Sequence, residues 1–320
     1  MLKHKISLVI ATYNGALTLP KTLASINQLE IPDNCEFNVI FIDNNSNDET
    51  SELLTAYQCQ HSLVKLHQTK QGKNAALNLI FEVNIPLGDL LIFSDDDVIF
   101  PNHFINNYLE LTIRQSKTNI FGGAVIPHWP SEVPSGLLEG IDAVVAFAIT
   151  PSESGYQSGL IDPVKLHGPN MAIKRNLFDE GIRFNENIGP NGGNYMMGSE
   201  SELLYRLKNA EHDAYYEHEL KVQHIIRPEQ LSRNWIASRA YKAGRSLVMH
   251  QIKNKQNIKV NELAGFPRWA LLKRWKMQLA KLITSNTTPK GYQLLWQSSH
   301  LKGYCAEYKV YMKSISKEAN

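Results

Sequence analysis

This 320-residue sequence predicts an α/β fold built on a doubly wound, mainly parallel sheet flanked by helices, with a helical extension at its C-terminal end. Two observations carry the prediction. Short apolar runs of strand length recur through the N-terminal third, and segments with helical periodicity and helix-start signals lie between them. In such sheets ligands bind at the carboxyl ends of the strands.

The runs Ile6–Ala11 (ISLVIA), Val39–Ile42 (VIFI), Leu63–Leu66 and Leu90–Ser94 (LLIFS) are nearly continuous in apolar residues. Runs of this kind read as strands covered on both faces. Thr18 is placed to cap a helix whose first turn holds Pro20, where a missing amide costs nothing. Leu19, Leu23 and Ile26 follow at helical spacing. Ser46-Asn47-Asp48-Glu49 reads as a capping box opening a second helix through Leu53, Leu54 and Tyr57. Gly72-Lys73 precedes a third, Asn74–Phe81. From about Phe121 to Asn194 the sequence loosens into Gly, Pro, Asn and Ser. Order returns with a helix near Glu202–Ala210 and short strands at Ala214–Tyr216 and Lys221–Ile226. Beyond Pro228 the pattern is helical, including Leu231–His250 and Pro267–Ile283. The expected division is therefore 1–228 for the α/β domain and 229–320 for the extension.

Bulk properties remove several function classes. Lys plus Arg (33) nearly balances Asp plus Glu (31), so no nucleic-acid partner is expected. Cys35, Cys59 and Cys305 are widely spaced, which gives no disulfide framework and fits a reducing cytoplasm. Lys3 and Lys5 precede an apolar run, but Ile6–Ala11 is too short for a signal-peptide core. Ala143–Ile149 is likewise far short of the roughly 20 residues that span a bilayer. A soluble cytoplasmic chain is the expectation.

The strongest local signal is Asp95-Asp96-Asp97, directly after the apolar run ending at Ser94. Three adjacent carboxylates repel one another, and a solvated acidic turn or a helix start is one way to tolerate them. At the end of a buried strand, a divalent cation on a diphosphate is the other, because hard oxygen ligands suit Mg2+ or Mn2+.

Seven stretches extend this signal into a resemblance. ISLVIATYNG, VIFIDNNSNDET, QGKNAALN, SDDD, HGPNMAIKR, GSESELLYRL and VQHIIRPEQLSRNW occur in order over roughly residues 5 to 245. Together they resemble glycosyltransferase family 2, whose fold is the GT-A type of nucleotide-diphospho-sugar transferase, of the kind found in bacterial polysaccharide or lipopolysaccharide assembly. The resemblance implies a donor half at 1–125 and an acceptor half at 126–228. It places Thr12, Tyr13 and Asn14 against the nucleotide and Asp43 at the base, although Asp43 and Ser46 also suit a capping turn. Lys73 falls near base and ribose. A cation is poorly placed in the first turn of a helix, which favours a ligand role.

Within the acidic motif, of DXD type, the resemblance sets Asp95 toward the ribose and Asp97 on the metal, with Asp96 sharing either task. His224 matches a histidine that completes the metal shell. The acceptor hydroxyl needs a base, and the related enzymes carry a Glu-Asp pair at the start of a helix. This chain reads Gly198-Ser199-Glu200-Ser201-Glu202 instead. Registration on the following Glu-Leu gives Glu200 as the base, with Glu202 as the alternative. Gly168, Asn170 and Met171 match a segment beside donor sugar and acceptor. Gly189–Asn194 reads either as a lid or as a plain surface loop.

Arg233 matches the arginine of a Gln-x-x-Arg-Trp motif, but Gln230 to Trp235 holds one extra residue. Arg233 is expected either to approach the diphosphate or to sit on a helix surface. The extra residue argues for single-sugar transfer rather than polymerisation. The implied activity is inverting, Mn2+- or Mg2+-dependent hexosyl transfer from a nucleotide-diphospho-sugar, UDP-sugars favoured, to a glycan or lipid-linked acceptor. Two other classes compete with it: a sugar-nucleotide nucleotidyltransferase, for which Thr12-Tyr13-Asn14-Gly15 lacks arginine, and a non-catalytic sugar-nucleotide binder.

Between Arg268 and Lys281 lie five basic residues and no acidic one. Leu271, Leu272, Trp275, Leu279, Leu282 and Ile283 share one arc of that helix. Residues 267–283 therefore either pack on the catalytic domain or lie peripherally at the inner face of the plasma membrane.

Overall fold

A computed structural model describes residues 3–151, 156–190, 197–253, 262–263 and 266–318. The chain divides into two compact units. The first comprises Met1–His128, Ala148–Asn194 and Gly198–Ile225; the second comprises Trp129–Phe147, Tyr195–Met197 and Ile226–Asn320.

In the first unit β1 (His4–Thr12), α1 (Leu19–Ile26), β2 (Cys35–Asp43), α2 (Thr50–Ala56), β3 (Ser62–His67), α3 (Lys73–Leu79) and β4 (Leu90–Ser94) alternate strand and helix. Then come β5 (Val98–Ile99), α4 (Phe104–Arg114) and β6 (Ile120–His128). The chain passes through α5 (Leu137–Gly140) and α6 (Ala143–Phe147) of the second unit. It returns as β7 (Gly159–Ile161), β8 (Met171–Lys174), α7 (Asn176–Asp179), α8 (Ser199–Asn209) and β9 (Ala214–Ile225).

The sheet runs β3-β2-β1-β4-β8-β6-β9-β5, with β7 added on β9. β1 to β4 pair in parallel, as do β6 and β9, while β8 is antiparallel to both β4 and β6. The sheet is thus mixed, and its parallel part carries the apolar runs. Their continuity has a simple cause: Leu8, Val9, Ile10, Val39, Ile40, Leu91 and Ile92 are all fully buried because helices cover both faces. Each such side chain contributes about 1.5–3 kcal/mol by leaving water.

Four expectations need correction. The stretch 121–194, read as loose, holds β6, β7 and β8. Gly122 and Gly123 are strand residues, and a Cβ on Gly123 would lie 2.0 Å from the Leu220 carbonyl oxygen. They answer a close approach rather than a turn. The two short strands expected at 214–226 are one strand, β9. Its ladder shifts where Gly123 faces Glu217 but Ala124 faces Lys221, leaving 218–220 bulged out. No capping box forms at Ser46 to Glu49. α2 begins at Thr50, whose amide donates to Asp48 Oδ1 (3.1 Å). Thr18 does precede α1, but its hydroxyl donates back to the Gly15 carbonyl (3.3 Å) rather than capping.

The second unit adds α9 (Arg233–Lys253), the short pair β10 (Glu262–Leu263) and β11 (Phe266–Pro267), α10 (Arg268–Ile283) and α11 (Pro289–Glu318). α9 and α11 meet through Val248, Tyr304 and Tyr308, and by the Arg245–Glu307 ion pair at 2.8 Å. No helix among the described residues is long and apolar enough to cross a membrane.

Candidate active site

Thr12, Asp43 and the aspartates at 95–97, singled out in the sequence, gather at the carboxyl ends of β1, β2 and β4. Thr12 closes β1 opposite Asp43, which closes β2. The loop after β1 is tied to the loop after β2 by a lattice of hydrogen bonds. The Asn14 amide donates to Ser46 Oγ (3.0 Å), and the Asn47 amide to Asn14 Oδ1 (2.9 Å). The Gly15 amide donates to Thr50 Oγ1 (2.8 Å), and the Ala16 amide to Asp48 Oδ2 (3.2 Å). Asn14 holds a left-handed backbone (φ 52°), which asparagine tolerates better than most residues. Tyr13 is exposed beside it. The buried Asp43 carboxylate accepts from the Ser46 amide (3.0 Å) and from the Ser51 hydroxyl. The residues of the apparent capping box therefore serve to join two loops.

β4 ends in Ser94, whose hydroxyl donates to the Pro169 carbonyl (2.7 Å). The three aspartates then diverge. Asp95 Oδ1 meets the Lys73 ammonium at 2.5 Å, Asp96 accepts from the Thr12 hydroxyl, and Asp97 Oδ1 lies 3.2 Å from His224 Nε2. The last contact is set by backbone pairing, because Val98 on β5 faces His224 on β9 and the Ile225 amide donates to the Asp97 carbonyl (2.7 Å).

Lys73 also reaches Glu200 Oε1, at 2.6 Å. Glu200 stands in the first turn of α8, and Asn74, next to Lys73 on α3, receives the Ser199 hydroxyl. The first turns of α3 and α8 are thus joined twice. Gly168 completes the fit: a Cβ there would lie 2.7 Å from both the carboxyl carbon and Oε1 of Glu200. Glu202, the alternative base, is paired with Arg206 on its own helix (3.1 Å).

Charge is unbalanced in this cluster. Asp95, Asp96, Asp97 and Glu200 face the cations Lys73 and, when protonated, His224. Burial raises the Asp95 carboxyl above its ordinary value against the pull of Lys73. Burial and then Asp97 push Asp96 up to about 7. Burial works against the Lys73 ammonium, but Asp95 and Glu200 hold it well above the ordinary lysine range. No group of three or more His, Cys, Asp or Glu able to hold a metal ion forms among the described residues.

Other expected contacts fall elsewhere. Asn170 is fully buried; it donates to the Ala124 (3.0 Å) and Leu220 (2.8 Å) carbonyls and accepts from Tyr108 (2.9 Å). Its side chain clamps β6 to β9. Met171, on β8, lies in the hydrophobic core. Arg233 belongs to the second unit, where it donates to the Asn286 carbonyl and stacks over Tyr292 at 5.0 Å. Of the segment 189–194, residues 191–194 lie outside the described residues.

One residue of the site went unassigned in the sequence. His167, just before Gly168, has an enclosed Nε2 without a hydrogen-bond partner among the described residues. Burial, with His224 adding to it and Glu200 opposing, lowers its pKa to about 4. A titratable side chain inside the HGPN stretch was the available signal.

The sequence profile described as "Glycosyl transferase family 2" matches residues 7–181, more than half of the chain. The chain belongs to this glycosyltransferase family. An uncharacterized glycosyltransferase of Bacillus subtilis (strain 168), YfnE, is 30% identical over 106 residues, covering 33% of this chain and 26% of its own. A glucosyl-dolichyl phosphate glucuronosyltransferase of Haloferax volcanii is 21% identical over 184 residues, 57% of this chain and 58% of its own. The chain therefore spans between about a quarter and three fifths of these two curated relatives. The solved structure of a mannosyltransferase, PcManGT from Pyrobaculum calidifontis in complex with GDP-Man and Mn2+, is similar at a TM-score of 0.59. Its identity is 16%, with 97% of this chain and 88% of that one covered, which shows a shared GT-A fold.

Proposed function

We propose that this family 2 chain performs inverting, metal-dependent transfer of a single hexose-type sugar from a nucleotide-diphospho-sugar to a glycan or lipid-linked acceptor, in polysaccharide assembly. One observation carries the reading: Lys73 bridges Asp95 of the acidic turn and Glu200 of α8, at 2.5 and 2.6 Å, so a donor site and a candidate base share one ammonium.

Asp97 and His224 fit a divalent cation. Adjacent ligands at about 2.1 Å from an octahedral ion lie about 3.0 Å apart, close to the 3.2 Å between Oδ1 and Nε2. Mg2+ and Mn2+ commonly take one or two protein side chains and complete their shell with phosphate oxygens and water. Two donors rather than three therefore suit an ion that arrives with a diphosphate. Held there, such an ion would take up negative charge on the departing nucleoside diphosphate. The similar mannosyltransferase with its GDP-Man and Mn2+ supports both the donor class and the metal, and UDP-sugars remain the first donors to try.

The protein's own steps follow from the geometry. The cross-linked loops carrying Tyr13, Asn14 and Asp43 offer a stiff wall for the nucleotide, with Tyr13 exposed for stacking. Glu200 takes the proton of the acceptor hydroxyl as its oxygen bonds to the anomeric carbon and the bond to the diphosphate oxygen breaks. Lys73 orients that carboxylate, and Gly168 leaves it room.

The test is transfer and hydrolysis across a panel of nucleotide sugars with and without Mn2+. Glu200→Gln should lower kcat by about 10²–10⁴-fold with donor affinity retained. Asp97→Asn should abolish the Mn2+-dependent rise in Tm that a bound donor gives. Unchanged turnover in Glu200→Gln removes the assigned base.

A further inference from the structure

α10 turns its more apolar face outward. It meets α11 through Ala270 and Met277, which pack with Leu294 and Leu301. Leu272, Trp275, Leu279, Leu282 and Ile283 stand between 47% and 89% exposed, and Trp269 stands beside them at 44%. At 3.6 residues per turn the first five share the side of the helix opposite Ala270 and Met277, and Trp269 lies at the edge of that side with its ring against Tyr304 (5.5 Å). The arc expected from the sequence is therefore present, with Leu271 half-buried at its margin, and it is not consumed by packing within its own unit. A contiguous apolar patch of this kind marks an interaction surface.

The charges narrow what can cover it. Every ionisable side chain on α10 is basic: Arg268, Lys273, Arg274, Lys276 and Lys281. Lys281 is turned inward to the Ser298 hydroxyl at 2.6 Å, whereas the other four are exposed. Arg268 and Lys276 fall within the apolar arc itself, where their stems can lie along the leucines while the charged heads reach outward. We propose that this face of α10 docks on an anionic lipid bilayer, with the helix in the plane of the headgroups and Trp275 at the interface. A protein groove would accept the leucines, but an apolar face ringed and interrupted by cations alone is matched by a surface that is both apolar and negative. The inference is independent of the chemistry assigned to Glu200, and its readout needs no turnover.

The experiment is co-sedimentation of the full chain with vesicles of phosphatidylcholine containing about 30% phosphatidylglycerol, against pure phosphatidylcholine. The expected result is strong partition onto the anionic vesicles, weakened by high salt, with a blue shift of tryptophan fluorescence. Trp275→Ser combined with Leu279→Ser, both at exposed positions, should lower the partition at least about tenfold while circular dichroism and transfer activity stay unchanged. Arg268→Gln with Lys276→Gln should lower it about fivefold for each cation removed. Absence of binding to anionic vesicles, or equal binding by wild type and the Trp275/Leu279 variant, overturns the proposal. So does a concentration-dependent dimer that the variant loses while vesicle binding persists, because a second copy would then be what covers the face.

Discussion

The loops after β1 and β2 and the acidic turn after β4 sit at the same ends of neighbouring strands, yet they settle their polar groups in opposite ways. The first pair satisfies each group singly: Asn14, Gly15 and Ala16 donate to Ser46, Thr50 and Asp48, and the buried Asp43 is satisfied by its own loop. The second gathers Asp95, Asp96, Asp97 and Glu200 around Lys73 and His224. Groups met singly by amides and hydroxyls fix a shape and ask for nothing further. Crowded carboxylates keep free energy in reserve, which a cation or a cationic partner can release on binding. Shape and chemistry are thus supplied by adjacent but separate devices.

The largest test of that difference removes the ammonium. Lys73→Met leaves Asp95 and Glu200 half-enclosed without their shared partner, and breaking such a pair from one side should cost about 3 kcal/mol of stability in metal-free buffer near neutral pH. Urea unfolding with and without Mn2+ measures it. A midpoint equal to wild type without metal would mean that the cluster carries no charge stress.

Next in size is the pH dependence at His167. Its pKa is about 4 in the folded chain and about 6.5 in an unfolded one. Between those values the unfolded state binds a proton that the folded state refuses, so stability is full above about 6.5 and falls as pH drops toward 4. The window is worth about 3 kcal/mol at most. His167→Gln should flatten that part of the stability profile. An unchanged slope would show that the imidazole is hydrated rather than enclosed.

Gly168→Ala sharpens the comparison, because it touches geometry and leaves every charge in place. Its new methyl meets the Glu200 carboxylate at 2.7 Å, the far end of a flexible side chain, so Tm should barely move. A displacement of about 1 Å in a reacting group can cost about 10²-fold in kcat. Full activity in Gly168→Ala would mean that the carboxylate position is not decisive.

These contrasts also show what was legible before the structure. β4 was readable to the residue, Leu90–Ser94, because a strand covered on both faces must be apolar throughout, and the aspartates at its end followed at once. β6 was unreadable because Gly122, Gly123 and Pro127 carry loop signals, whereas here Gly122 makes room for Leu166 and Gly123 for the Leu220 carbonyl of β9. Resemblance assigns Asn170 and Met171 to the substrate, whereas the structure buries both, and sequence pattern contains no burial for an asparagine. Ser46 and Glu49 match a real local motif, yet tertiary partners override it: Asn14, thirty-two positions away, takes the serine hydroxyl. The cluster around Lys73 depends on contacts as distant as Lys73 to Glu200, which only topology brings together.

The smallest expected effect belongs to the loop lattice. Ser46→Ala removes the acceptor of the Asn14 amide while leaving the Ser46 amide free to keep Asp43. One hydrogen bond lost near the surface should cost about 1 kcal/mol, and the remaining links through Thr50 and Asp48 should hold the loop in place. Donor affinity should therefore weaken only about two- to threefold, with kcat and its metal dependence unchanged. A large fall in kcat would show that the loop lattice reaches into the chemistry after all. A variant as stable as wild type, with unaltered affinity, would show that the lattice is redundant. Thermal unfolding together with donor titration by calorimetry separates these outcomes, since the first is read in kcat and the second in Tm and Kd.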